Sequence, residues 1–349
     1  MEEINVLVVD DSAFMRQLIT SLLGQDPRIR IVGKARNGKE CLEKIKLLQP
    51  DCVILDIEMP VLNGLETLKI IMEQSPLPVI IFSSTTKEGA ENTFLAFQYG
   101  AYDFIAKPAG QHPDEITKVK NELIEKVLAS QRANISGLQT RNVQGGIFIE
   151  KQEKDDLSAK RNKIVFIGTS TGGPRALQEV IPKLPEDLEA PVLIVQHMPA
   201  GFTKSLAERL DSFSRLRVKE AENGEILQNG TVYIAPGGFH LKVRRVGFSL
   251  AAQLDQSPPV FGHRPSVDVL LSSACSLTDY KKMVVIMTGM GADGAKGLAA
   301  LKKTGNVVAL AESEKTAVIY GMPRAAVATG CVDEVVDLDL IAERIVKKL

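Results

Sequence analysis

The chain has 349 residues, with 42 lysines and arginines against 43 aspartates and glutamates and a net charge of -1 at pH 7. That length allows two domains, each able to bury a core, and the balanced charge excludes a global attraction to nucleic acid or to an anionic membrane. No apolar run is long enough to span a bilayer and no basic segment precedes an apolar one near Met1, so a cytoplasmic protein without membrane insertion is expected.

From the start of the chain, apolar runs alternate with amphipathic ones. Strands are expected at 4–9, 29–35, 52–55, 79–82 and 102–105, and a helical period of about 3.6 runs over 13–23 and 64–72. Five strands with intervening helices predict a doubly wound α/β domain over 1–130, with a parallel sheet in a flavodoxin-like (βα)5 arrangement. Ligands of such sheets sit beyond the carboxyl ends of the strands. Asp10 and Asp11 end the first strand, Asp56 the third, Ser83 the fourth and Lys107 the fifth. Clustered carboxylates repel one another unless a hard cation such as Mg²⁺ neutralises them, and a lysine beside them pairs with an added anion. A single strand-end acid is often only a helix cap, but five such positions together point to a site. Ser84, Thr85 and Thr86 follow Ser83, so a neighbouring hydroxyl remains an alternative to it. Cys41, Cys52, Cys275 and Cys331 lack metal-ligand or redox spacing and are expected to be reduced structural thiols.

Taken one by one, these positions resemble the phosphoacceptor site of response-regulator receiver domains, over residues 4 to about 128. The segments Asp56-Ile-Glu-Met-Pro60 and Asn63-Gly64 fit the loop after the acceptor. The resemblance implies that Asp56 is phosphorylated and that Asp10, Asp11 and Asp56 bind Mg²⁺. It further implies that Ser83 and Lys107 contact the phosphoryl group and that Phe104 holds the switch-aromatic position.

A helix starting near Pro113 leads into a stretch rich in Gln, Asn, Ser, Gly, Lys and Asp, which marks 131–161 as a linker. A second βα series fills 162–349, predicting another doubly wound, mainly parallel α/β domain, interrupted by a β-hairpin whose first arm spans 233–244 and whose return runs through 246–250. Three polar side chains follow strands in this series. Ser170 lies in Gly168-Thr-Ser-Thr-Gly-Gly-Pro174, His197 follows the run 191–196, and Asp293 lies in Gly289-Met-Gly-Ala-Asp-Gly294. Ser, His and Asp at three strand ends of one α/β domain are the parts of a hydrolase.

Each of the three also has a plainer reading. The G-x-S-x-G pattern is short, and the chain order Ser, His, Asp differs from the Ser, acid, His order of α/β-hydrolases. On its motif alone Ser170 reads as a helix N-cap. A dinucleotide phosphate loop would need a full G-x-G-x-x-G and an acid at the next strand end, where Gln196-His197 stands instead. Asp293 suits a cap for the helix 295–302, or a partner for the Nδ1–H of a histidine. Of the four histidines, His112 lies at the edge of the first domain, His240 falls in the hairpin, and His263 precedes a helix where it suits substrate binding or capping. Only His197 follows a buried parallel strand in the same series as Ser170. The backbones of Thr171 and Met290 are the candidate oxyanion donors.

Gly168 to Gly173, Gln196 to Thr203, Ala235 to His240, His263 to Asp268 and Thr288 to Gly294 together resemble the chemotaxis protein-glutamate methylesterase family, CheB. The resemblance implies Ser170 as nucleophile, His197 as general base and acid, and Asp293 as its orienter, with no metal in this domain. The implied reactions are hydrolysis of glutamate 5-methyl esters on chemoreceptors, with release of methanol, and deamidation of receptor glutamines. Both would pass through an acyl-enzyme, and the receiver would inhibit until a chemotaxis histidine kinase phosphorylates Asp56. A transcriptional regulator is disfavoured, because no clustered positive charge or helix-turn-helix follows the receiver. A receiver fused to a non-catalytic binding domain stays open at this point.

Overall fold

The structure is a computed structural model that describes residues 3–84, 86–108, 110, 112–135 and 162–349. The chain divides into two compact units. The first contains β1 (Ile4–Val9), α1 (Ala13–Leu23), β2 (Ile29–Ala35), α2 (Gly38–Leu48), β3 (Cys52–Asp56), α3 (Gly64–Gln74), β4 (Val79–Ser83), α4 (Lys87–Gln98), β5 (Asp103–Ala106) and α5 (Pro113–Ser130). Its sheet runs β2-β1-β3-β4-β5 with every pairing parallel, the flavodoxin-like order. Every residue of β3 and β4 is buried, as continuous apolar runs covered by helices on both faces should be. Ser12, Asn37, Asn63 and Thr86 each accept a backbone N–H three residues on and so start α1, α2, α3 and α4. Such caps contribute about 1 kcal/mol each and fix where each loop beyond a strand turns into a helix.

The second unit contains β6 (Lys163–Thr169), α6 (Gly173–Val180), β7 (Val192–Gln196), α7 (Phe202–Asp211), β8 (Arg217–Glu220), β9 (Thr231–Ile234), β10 (His240–Val246), β11 (Ser249–Asp255), α8 (Val267–Ser273), β12 (Lys281–Ile286), α9 (Ala295–Lys302), β13 (Val307–Glu312), α10 (Met322–Ala328), β14 (Glu334–Val336) and α11 (Ile341–Lys348). The sheet order is β14-β13-β12-β6-β7-β9-β8, again all parallel, and β10-β11 form a separate antiparallel pair. The chain winds outward in both directions from β6, so the crevice beyond its carboxyl end, between β7 and β12, is the topological switch point. Phe166 of β6 is buried in the core with Leu193, Tyr233, Leu271, Ile286 and Leu298. Burial of a side chain that size contributes roughly 1.5–3 kcal/mol and holds β6 in register under the site.

The expected hairpin needs one correction. Tyr233 and Ile234 belong to the parallel strand β9, paired with β7 and β8, and the antiparallel partner of Ser249–Asp255 begins only at His240. Pro236 offers no N–H to a ladder, and Gly238 turns with φ of 86°, so the run breaks between the two strands. Of the expected linker 131–161, only 131–135 fall among the described residues. All four cysteines are free, and burial pushes the Cys41 and Cys52 thiols up to about 12, which suits inert structural thiols. Among the described residues no helix is long and apolar enough to cross a membrane.

Candidate active site

Ser170 follows β6 and is tied to both neighbouring strands through its main chain. Its N–H donates to Thr288 O (3.0 Å), and its carbonyl accepts from Gly173 N (2.8 Å) and Gln196 Nε2 (3.0 Å). The turn needs Gly172: φ is 75°, and a Cβ there would lie 2.7 Å from Val318 Cβ. Gly172 is also the N-cap of α6, without a side-chain bond, so Ser170 is not the cap that its motif alone suggested. The serine is part exposed at the crevice.

His197 follows β7, its N–H donating to Thr169 O at 3.2 Å, next to Ser170. The side chain is 6% exposed, and its Nε2 lies 2.8 Å from Asp293 Oδ2. The sequence led us to expect Nδ1 at the acid. The far nitrogen reaches Asp293 instead, and Nδ1, the ring nitrogen nearer the backbone that runs beside Ser170, is buried with no partner. No hydrogen bond joins the serine hydroxyl to Nδ1.

Asp293 is 4% exposed and accepts four hydrogen bonds. Besides His197, the donors are Ser266 Oγ (2.9 Å), Val267 N (2.7 Å) and Asp268 N (2.9 Å). Burial pushes its carboxyl up, but the bond and charge of His197 and the two backbone N–H groups outweigh that and hold it at about 2. Asp293 therefore caps the N-terminus of α8, not the helix that follows it. The N–H groups of Gly294 and Gly297, at the start of α9, go to Asp268 Oδ1 at 2.9 and 2.7 Å. The two acids exchange helices, which locks the loop before α8 to the loop before α9. Sequence reasoning assigned no role to Ser266 or Asp268 individually; their signal was the Ser-Val-Asp start of an apolar run, a helix N-terminus signature.

Under the serine lies a second polar layer. Thr288 O also accepts from Thr169 Oγ1 (3.0 Å), Thr288 Oγ1 donates to Thr171 O (2.9 Å), and Thr288 N donates to Glu312 Oε2 (2.8 Å). Glu312 has no exposed surface, and burial pushes its carboxyl up to about 7 against the Thr288 and Thr316 bonds. Thr171 is buried and Met290 part exposed, on the two loops that this layer joins. Gly289 makes the join close: a Cβ there would lie 2.8 Å from Ser170 Cβ and 2.4 Å from Met322 Sδ. Gly289→Ala is expected to displace the serine and lower kcat by about 10²-fold, the effect of a displacement near 1 Å. Steady-state kinetics with the methyl-ester substrate that the sequence resemblance implies, beside a circular dichroism spectrum, check this, since a folded variant with unchanged kcat would contradict it.

The other histidines separate. His240 is fully buried in β10, its Nε2 3.2 Å from Pro258 O, and His112 precedes α5 with a side chain 70% exposed. His263 alone joins the site, its ring stacked on His197 with centroids 3.9 Å apart and planes within 6°.

In the first unit Asp10, Asp11 and Asp56 bring carboxylate oxygens within 4.8 Å of one another. Lys107 Nζ lies 3.1 Å from Asp10 Oδ2 and 2.8 Å from Asp56 Oδ2. Burial pushes Asp56 up to about 6, against the hydrogen bond and charge of Lys107. Asp10 Oδ2 is buried, and despite its nearness to Lys107 it has no well-directed hydrogen bond. Three carboxylates gathered beside a single lysine leave net negative charge and oxygen donors that fit a hard divalent cation. Ser83 and Lys107 end neighbouring strands, joined by Lys107 N to Ser83 O at 2.7 Å, while the Ser83 hydroxyl donates to Gly89 O at 3.0 Å. Ser84 Oγ pairs with Thr86 Oγ1, the cap of α4, at 3.0 Å. Phe104 is buried, edge-on to Phe97 at 6.0 Å.

Residues 165–345 match the family model of the CheB methylesterase, and residues 6–119 that of the response regulator receiver domain. The protein-glutamate methylesterase/protein-glutamine glutaminase of Geobacillus kaustophilus is 55% identical over 347 residues, 99% of each chain. Its namesake from Bacillus subtilis is 49% identical over 350 residues, 98% of this chain and 97% of that one. The crystal structure of the Thermotoga maritima CheB methylesterase catalytic domain superposes with a TM-score of 0.52 at 46% identity, covering 54% of this chain and 99% of that one. With relatives matched along nearly their whole length and both domain models found in one chain, this protein belongs to the CheB methylesterase family and carries a response regulator receiver domain.

Proposed function

We propose that Ser170, His197 and Asp293 carry the reaction of this methylesterase: hydrolysis of glutamate 5-methyl esters on chemoreceptors, and deamidation of receptor glutamines. The activity is that of a protein-glutamate methylesterase and protein-glutamine glutaminase. The observation that carries the residue assignment is the buried His197–Asp293 pair with His197 Nδ1 left unpartnered beside the serine strand. Asp293 accepts Nε2–H, which leaves the lone pair on Nδ1. Ser170 Oγ attacks the side-chain carbonyl carbon while Nδ1 takes its proton. The oxyanion of the tetrahedral intermediate is received by main-chain N–H groups of the Thr171 and Met290 loops. The intermediate collapses with loss of methanol or ammonia, protonated from Nδ1, to a glutamyl ester of Ser170. Water, giving a proton to Nδ1, attacks that ester, and Nδ1 returns the proton to Ser170 Oγ as glutamate leaves, restoring the free serine and neutral histidine.

Residues 1–130 serve as the receiver, 131–161 as linker and 162–349 as the catalytic domain. Asp56 takes a phosphoryl group from a chemotaxis histidine kinase, and Lys107 and Ser83 contact it. Asp10, Asp11 and Asp56 would hold Mg²⁺, which supplies charge neutralisation to that transfer. The receiver restrains the esterase until Asp56 is phosphorylated, and both work in the cytoplasm on the receptors' cytoplasmic region, without nucleic acid or membrane insertion. Methanol release from methyl-esterified receptor should rise several-fold when Mg²⁺ and a small phosphodonor are added, and Asp56→Asn should stay at the basal rate. A flat response in the unsubstituted protein would remove receiver control but leave the esterase. No methanol in either state would favour a non-catalytic binding domain.

A further inference from the structure

We propose that His263 is a positioning residue for the general base: its ring, stacked on His197, holds the plane in which His197 Nδ1 meets Ser170. The inference rests on the reading of Ser170 and His197 as nucleophile and base. It starts from a shortage of restraints on His197. The ring has one in-plane hydrogen bond, Nε2 to Asp293, and nothing on Nδ1. An imidazole held at one edge atom can still tilt about that bond. A parallel ring with its centroid 3.9 Å away, covering one face, blocks the tilt.

The segment that carries His263 is built to hold a ring in place. Val260 and His263 exchange both backbone hydrogen bonds, His263 N to Val260 O at 2.9 Å and Val260 N to His263 O at 3.0 Å. The two residues between them have positive φ, 49° at Phe261 and 83° at Gly262, the conformation of a tight type I′ turn. Left-handed backbone is unfavourable for a bulky aromatic residue, and such conformations persist where surrounding contacts over-determine them. Phe261 itself is 67% exposed, with Lys296 of α9 over its ring, 4.5 Å from the centroid, so the turn is held chiefly by its paired backbone bonds. On the far side, Arg264 Nη1 donates to Gln256 O (2.9 Å) and Ser257 O (3.1 Å). Ser266, Val267 and Asp268 then donate to Asp293. One run from His263 to Asp268 thus grips the face of the base and the carboxylate of its orienter.

The test uses the full chain with methyl-esterified receptor and compares His263→Ala, His263→Phe, His263→Leu and Ser170→Ala. A positioning role predicts that His263→Ala lowers kcat by about 10- to 100-fold, with KM within about twofold, because misalignment costs chemistry and not binding. Phenylalanine restores a flat face and should return kcat to within about threefold of the unsubstituted enzyme. Leucine fills space without a flat face and should stay at least about tenfold below phenylalanine, so the comparison survives even if the alanine variant fails to fold. Normal kcat in His263→Ala, a change confined to KM, or equal rates for leucine and phenylalanine would each overturn the inference. Ser170→Ala separates the two layers. Its inactivity beside unaffected His263 variants would remove only the positioning role, whereas residual full activity would remove the reading beneath it.

Discussion

Ser170→Ala is expected to lower kcat for methanol release by about 10⁴- to 10⁶-fold while leaving the fold intact. In the proposed mechanism the chemistry lies in the hydroxyl, while the bonds of the turn use the main chain. The bonds that shape the turn, Ser170 N to Thr288 O, Gly173 N to Ser170 O and Gln196 Nε2 to Ser170 O, all use the serine main chain. Alanine keeps each of them, so the thermal transition should move little. Ester and glutamine substrates should fall together if both pass through the proposed acyl-enzyme of Ser170. A serine-directed phosphonate should label the unsubstituted enzyme at Ser170 and leave the variant unlabelled. A folded variant that still releases methanol within tenfold of the parent rate would mean that another group attacks the ester. The surviving rate would then have to come from a nucleophile other than the one strand topology selects.

The strand topology was legible because it depends on local pattern. Short, mostly apolar runs bounded by turn signals, such as 4–9 and 52–55, fit covered strands, and parallel sheets gather whatever follows their carboxyl ends. That rule alone brought Ser170, His197 and Asp293 to one crevice, and Asp10, Asp56 and Lys107 to another. What stayed hidden concerns partners distant in sequence. Asp293 looked like the cap of the helix that follows it, yet the donors it satisfies start α8, and Asp268 satisfies those of α9. A capping pattern says that a helix begins, not whose carboxylate reaches it. Equally, no spacing shows that His197 turns Nε2 to the acid, that His263 stacks on it, or that Glu312 lies buried beneath Thr288. Tyr233-Ile234 was joined to the hairpin because parallel and antiparallel strands share a period, and only pairing tells them apart.

Asp293→Asn should lower kcat by about 10³- to 10⁴-fold, through the tautomer of the base rather than through its position. The carboxylate accepts two donors at each oxygen, Ser266 Oγ and Asp268 N at Oδ1, and Val267 N and His197 Nε2 at Oδ2. An amide can accept at only one end. If its NH₂ faces the Oδ1 side, it confronts Asp268 N while the Ser266 hydroxyl can turn to accept, and half of the main-chain cap of α8 is lost. If it faces the Oδ2 side, it confronts Val267 N, and His197 must accept at Nε2, which moves its proton to Nδ1, the atom proposed to take the proton of Ser170. Either way one main-chain N–H of α8 loses its acceptor, and the second arrangement also leaves His197 protonated at the nitrogen proposed to do the work.

The same substitution has a signature in stability against pH. Asp293 is held at about 2 against an ordinary 3.8, so its ionised form contributes stability that is fully present above 3.8 and is lost as pH falls through 2. The size of the shift corresponds to about 2 kcal/mol, present in the parent and absent from the amide. In denaturant melts the parent should therefore exceed Asp293→Asn at neutral pH, and the gap should narrow between about pH 4 and pH 2. A gap that stays constant with pH would mean that Asp293 stabilises α8 only as a neutral acceptor. A near-normal kcat in the variant would leave it the cap of α8 and remove it from the mechanism.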